Sequence, residues 1–163
     1  MPTATTVSIK ADKATSVGIN FFKGTSLLFV NLPKVISVGD KAFRICSYIT
    51  YIDLPEATSI GIEAFRQNSQ LKTVNIPKVK SVATYAFFNC SNANSAYAPS
   101  IITLSSYAFY GCNALVLLSL PEVTTIEGSA FRGCSSLSSI SLHKATNHQC
   151  RQTRKCPIIY IHL

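Results

Sequence analysis

The sequence has no tryptophan, one methionine and only seven acidic residues, and charged residues make up 13% of its 163 positions. Its hydrophobic share of 47% is too high for a disordered chain, which is poor in apolar residues and rich in charge. No apolar run approaches the roughly 20 residues that a membrane-crossing helix needs. The opening MPTATTVSIKADK has no apolar stretch behind a basic head, so a signal peptide is not expected there. The expectation is an intracellular protein or a piece of a longer chain. Catalytic signatures are missing too: there is no P-loop, no GxGxxG, no GxSxG and no HExxH. The few acids are scattered and pair in no cleft-forming pattern, so neither an enzyme nor a cofactor is expected.

What is present is a period. Phe43, Phe65, Phe87, Phe109 and Phe131 are each 22 residues apart, and each follows an alanine. Pro33, Pro55, Pro77, Pro99 and Pro121 keep the same step. Cys46, Cys90, Cys112 and Cys134 share another slot, with Asn68 in the remaining place. The coil consensus reads L-x-x-I-x-L-P-x-V-x-x-I-x-x-x-A-F-x-x-C-x-x, and coils begin at Leu27, Ile49, Leu71, Ala93, Leu115 and Leu137. Before Leu27 the pattern continues with one residue deleted and Phe22 in the phenylalanine slot. A period of this length marks a stacked-repeat architecture.

One coil shows the physics. In LKTVNIP (71–77), Val74 and Ile76 are two apart and share one face of a strand. Pro77 has no N–H and closes that strand. Val79 and Val82 point inward along a second extended leg, and Ala86-Phe87 makes a 3₁₀ or single helical turn. A lone coil cannot bury this set, whereas stacked coils about 4.8 Å apart can. The coil from Ala93 is expected to be thin, because Ala93, Ala96 and Ala98 stand where Leu, Val and Ile belong.

The phrases LPEVTTIEGSAFRGCSSLSSISL (120–142) and LPEATSIGIEAF (54–65) resemble the BspA-type leucine-rich repeat. That resemblance implies an α/β-type solenoid of short parallel strands joined by 3₁₀ or short helical turns, right-handed and curved. It also implies protein binding, with adhesion to host or microbial proteins and display at a cell surface. The absent signal sequence stands against surface display. Two regions are expected: a solenoid of six to seven coils over 1–146, and a non-repeat basic segment over 147–163.

Candidate sites divide by register. The cysteine slot reads as an inward column of packing thiols, because no histidine recurs at its period to serve as a base. Phe43, Phe65, Phe87, Phe109 and Phe131 form the matching structural core. His143, His148, Cys150 and Cys156 hold no trusted zinc spacing, so no metal is expected. Asn89-Cys90-Ser91 is formally a glycosylation sequon. Lys144, Arg151, Arg154 and Lys155 carry +4 of the formal +8, which leaves nucleic-acid binding through the tail as an alternative to be weighed, not a leading expectation. Arg44, Arg66 and Arg132 fall at one slot, with Phe88 and Tyr110 between them, and read as solvated edge residues. Tyr107 and Tyr110 lie off the consensus and are expected to face outward.

A protein-binding panel is expected on the outer face of the first strand of each coil. It comprises Phe29, Asn31, Tyr51, Asp53, Thr73, Asn75, Tyr97 and Leu117, with Phe29 and Tyr51 as anchors beside polar neighbours. The plainer readings are ordinary exposed apolar surface, and a structural or truncated repeat fragment with no partner of its own.

Overall fold

The computed structural model describes residues 7–142, 144–148 and 158–160. It is a parallel β-solenoid of about five turns, each contributing two short strands. The first set pairs in the order β1 (Val7–Lys10), β3 (Leu27–Asn31), β5 (Tyr51–Asp53), β7 (Thr73–Asn75), β9 (Ser95–Tyr97), β11 (Leu117–Ser119). The second runs β2 (Ser16–Val17), β4 (Ser37–Val38), β6 (Ser59–Ile60), β8 (Ser81–Val82), β10 (Thr103–Leu104), β12 (Thr125–Ile126), β14 (Asn147–His148). A separate parallel pair joins β13 (Ser139–Ser141) to β15 (Ile158–Tyr160). His143, Cys150, Cys156, Arg151, Arg154 and Lys155 lie outside the described residues.

Partners along both sheets differ by 22, as in Tyr51 to Thr73 and Ser59 to Ser81. At the first coil the offset drops to 21, with Ser16 beside Ser37 and Val17 beside Val38. The deletion before Leu27 is thus absorbed without breaking the second sheet. In the first sheet Ser8, Ile9 and Lys10 keep the same 21-residue offset to Phe29, Val30 and Asn31, and the register shifts once more between Val7 and Ser8.

Inward residues of both legs fill one core. Val30, Ile52, Val74, Ala96 and Leu118 follow one another in the first sheet, and Val38, Ile60, Val82, Leu104 and Ile126 in the second. Ala93, Ala96 and Ala98 are buried as well, although they supply less volume than the residues they replace. Rings of Phe22, Phe43, Phe65, Phe87, Phe109 and Phe131 stack down the middle with centroids 5.1–5.9 Å apart and planes within 16° of parallel. Each side chain from Phe43 to Phe131 is fully buried.

The turn around Ala-Phe departs from expectation, because no helix forms among the described residues. Instead two residues per coil take a left-handed conformation, two before and two after the phenylalanine. Tyr85 (φ 60°) and Asn89 (φ 56°) flank Phe87; Tyr107 (φ 61°) and Gly111 (φ 71°) flank Phe109. These reversals aim alternate N–H groups in different directions. Ala86, Phe88 and Cys90 donate within the coil to Ala83, Tyr85 and Phe87; Tyr85, Phe87 and Asn89 donate to Ser106, Ala108 and Tyr110 of the next coil. A helix would spend all these donors locally, whereas the alternation uses half of them to join coils. The cost is greatest at Ile45 (φ 60°), a β-branched residue in a region it disfavours.

Candidate functional site

The outward positions of the first sheet place the expected panel in two adjacent columns. Phe29, Tyr51, Thr73, Ser95 and Leu117 are register partners in one; Asn31, Asp53, Asn75, Tyr97 and Ser119 in the other. Their exposure is uneven. Phe29, Tyr97 and Leu117 expose 45%, 61% and 67% of their surface, while Tyr51, Asp53, Thr73 and Asn75 are half-buried. Asn75 Nδ2 donates to Asp53 Oδ1 at 2.7 Å, tying the polar column together. Partial burial, and then the Asp53 carboxylate, push the Tyr51 phenol above its ordinary value.

The surface is hollowed over β9. An open groove of about 530 Å³ is lined by Tyr51, Thr73, Asn75, Tyr97 and Leu117 among others, with Ser95 and Ala96 in the strand between. Phe29, Asn31 and Asp53 lie outside it. The groove sits where the thin coil crosses the sheet. Small side chains at Ser95 and Ala96 stand between the bulkier Thr73–Val74 and Leu117–Leu118, so the surface dips there. The sequence signal for this groove was present in the alanine substitutions, where it reads as core weakness.

A second cluster occupies the turns. Tyr85 stacks on Tyr107 with centroids 4.9 Å apart, and Phe88 on Tyr110 at 4.8 Å. Within each coil the two rings also touch, at 5.4 Å for Tyr85–Phe88 and 5.8 Å for Tyr107–Tyr110. The Arg66 guanidinium covers the Phe88 ring at 4.9 Å and the Tyr85 ring at 5.7 Å; that of Arg132 lies 5.9 Å from the Tyr110 centroid. Glu63 sits 3.2 Å from Arg44 Nε and 3.3 Å from Arg66 Nη1. Arg44 and Arg66 are therefore tied to Glu63, and Arg66 also to the rings, rather than standing as solvated edge residues, while Arg132 stays exposed beside Tyr110.

The cysteine column has a structural task. Cys46, Cys90, Cys112 and Cys134 are buried, and each Sγ donates to the carbonyl of the phenylalanine one coil back: Phe22 at 2.9 Å, Phe65 at 3.1 Å, Phe87 at 3.2 Å and Phe109 at 3.1 Å. Asn68 performs the same donation through Nδ2, 3.0 Å from Phe43 O. The slot therefore takes a small hydrogen-bond donor. Burial raises the Cys90 thiol from 9.0 to about 12. Burial first, then the neighbouring Cys90 and Cys134, push Cys112 well above its ordinary value.

A raised thiol is a poor nucleophile. Cys90 and Cys112 should resist iodoacetamide at pH 8 in the native protein and react once urea unfolds it, which mass spectrometry reads directly. The sign for stability follows. Above pH 9.0 the unfolded Cys90 ionises while the folded one keeps its proton, so stability falls as pH rises toward 12. At pH 10 the loss from Cys90 alone is on the order of 1 kcal/mol, so the urea midpoint should drop between pH 8 and pH 10.

Stacked coils, an invariant ring column and a face of parallel strands define a leucine-rich-repeat solenoid, a fold of structural and binding modules that are typically not catalytic. The profile of the BspA type leucine rich repeat region matches residues 3–116 and 58–153, with six copies. The chain belongs to that family. Among solved structures it is similar to a leucine rich repeat protein of T. pallidum, at 28% identity and a TM-score of 0.70, covering 78% of this chain and 63% of that one. It also shares the fold of a leucine rich cell surface protein of Faecalibacterium prausnitzii, at 23% identity, TM-score 0.57, and 85% and 47% coverage. A leucine-rich repeat protein of Bacteroides ovatus gives 19% identity, TM-score 0.55, and 95% and 51% coverage. The chain thus spans less than two thirds of each of these structures. No curated protein matched. No helix among the described residues is long and apolar enough to cross a membrane.

Proposed function

We propose that this chain is a non-enzymatic protein-binding module that acts through the outer face of β5, β7, β9 and β11, and that it serves adhesion to host or microbial proteins at a cell surface. The observation that carries the reading is the groove over β9, flanked by the exposed Tyr97 and Leu117. An aromatic and an aliphatic anchor beside a depression, with polar Asn75 and Ser119 alongside, is the arrangement of an interface centre. The strands give it rigidity, because their backbone bonds fix the columns before any partner arrives. The cell surface protein of F. prausnitzii, which shares the fold, supports the proposed location.

The test uses Tyr97→Ser combined with Leu117→Ser. Both side chains are exposed, so the variant should keep the melting temperature of the parent. Proteins captured from host-cell and microbial extracts on immobilised parent and variant are compared quantitatively. At least one protein held by the parent should bind the variant about tenfold or more weakly. Identical capture by the two would overturn the reading.

A further inference from the structure

The turn face carries a charge pattern that the strand-face reading leaves unused. One column of turn residues runs Lys23, Arg44, Arg66, Phe88, Tyr110, Arg132, one per coil. At about 4.8 Å per coil it spans about 24 Å. Beside it lie Lys41, Tyr85 and Tyr107. Glu63 is the single acid in these two columns and is shared by Arg44 and Arg66, so the strip keeps a surplus of positive charge.

The aromatics in the strip are arranged to support this charge rather than to stack on a ligand. Tyr85 and Tyr107 cover one another, as do Phe88 and Tyr110. The outer faces of Phe88 and Tyr85 are taken by Arg66, and that of Tyr110 by Arg132. Single-stranded nucleic acid binds by laying bases on open ring faces, and few remain here. The rims remain: phenol hydroxyls, which both donate and accept, and guanidinium N–H groups, which a ring beneath holds in place. Along the axis the order is cations, then phenols, then a cation.

We infer that this strip binds an acidic polysaccharide laid along the solenoid axis. Its carboxylate or sulfate groups would meet Arg44, Arg66 and Arg132, and its sugar hydroxyls would meet Tyr85, Tyr107 and Tyr110. A polymer that alternates fixed anions with neutral hydroxyls matches that order, whereas an acidic peptide offers no hydroxyl-rich stretch opposite the phenols.

The full chain is titrated with heparin, hyaluronan, oligothymidylate and polyglutamate of matched length at 150 mM salt. Heparin or hyaluronan should bind at least about tenfold more tightly than the other two polymers, and hyaluronan, whose only anion is a carboxylate, binding as tightly as heparin would identify carboxylate as the group recognised. Arg66→Gln with Arg132→Gln should weaken that binding about tenfold. Lys78→Gln with Lys144→Gln removes the same charge from exposed pairs with Glu56 and Glu122, and should change it less than about twofold. Should the Arg66 variant fail to fold, Arg132→Gln with Tyr110→Phe replaces it, because Arg132 is exposed. Equal loss in the lysine control, equal binding of all four polymers, no binding at all, or loss only on Arg151→Gln with Arg154→Gln and Lys155→Gln would each overturn the inference. Tyr97→Ser with Leu117→Ser should leave heparin binding unchanged, so the two faces fail or succeed separately.

Discussion

Phe87→Ala is expected to lower the unfolding free energy by about 3–5 kcal/mol and the melting temperature by about 10 °C. Phe87 sits in the middle of the ring column, with Phe65 at 5.2 Å on one side and Phe109 at 5.1 Å on the other. Its side chain is fully buried in a close-packed interior, so an alanine would leave a cavity there. In a stacked array each coil is held by its two neighbours, so a gap at the centre weakens two interfaces at once. Phe22 makes the comparison informative. It ends the column, stacks on Phe43 alone at 5.1 Å within the ring column, and is half-exposed. Phe22→Ala should therefore cost less than half as much as Phe87→Ala. Thermal and urea unfolding of both variants decide it. Equal losses would contradict a column whose energy comes from burial between coils.

Asn68→Cys should raise stability by about 1–3 kcal/mol. Asn68 stands in the thiol slot and is fully buried. Its Nδ2 meets Phe43 O, but its Oδ1 is buried with no hydrogen-bond partner among the described residues. Cysteine is close to asparagine in size, keeps a donor for the same carbonyl and removes the orphaned oxygen. The three coils that follow already use this solution at Cys90, Cys112 and Cys134. Asn68→Ala separates the two contributions, since it deletes the orphan and the donor together and opens space as well. It should be no more stable than the parent. A urea midpoint for Asn68→Cys at or below that of the parent would mean that the asparagine is satisfied in a way the geometry does not reveal.

The register of the fold was legible in the sequence, because the inward slots are written five or six times with apolar residues, Asn68 in the thiol slot being the exception. The one-residue deletion before Leu27 could be read for the same reason, and it reappears as the 21-residue offset between β2 and β4. The turn could not be read. Its left-handed positions hold Asn20, Lys41, Glu63, Tyr85, Tyr107 and Ser129 in one slot, and Gly24, Ile45, Gln67, Asn89, Gly111 and Gly133 in the other. Three of these are glycine, the residue that signals such a conformation. The stacked coils impose it on the rest, so local preference suggests a helical turn where none forms. At Gly111 the left-handed φ of 71° is itself the reason for glycine, because an added Cβ would meet mainly the movable end of the Asn89 side chain.

The candidate surfaces were partly legible. Alternation in the strands identifies which residues face outward, but not how deep the surface lies between them. Depth came from Ser95 and Ala96, whose small size reads first as lost core. The turn ladder was hidden because its column mixes arginine with aromatics. That mixture looks like an interrupted charge row until stacking shows the guanidiniums lying on rings.

The most direct measurement is a photo-crosslinking scan, with a benzophenone side chain placed singly at positions 29, 51, 97 and 117 on the strand face and at 34, 78, 122 and 132 elsewhere. Each variant is irradiated in the presence of the protein captured by the parent chain. Protein binding through the groove over β9 predicts crosslinks concentrated at 97 and 117, weaker at 51, and near background at the other positions. Equal yields at all eight positions, or yields highest at 34, 78, 122 or 132, would contradict it.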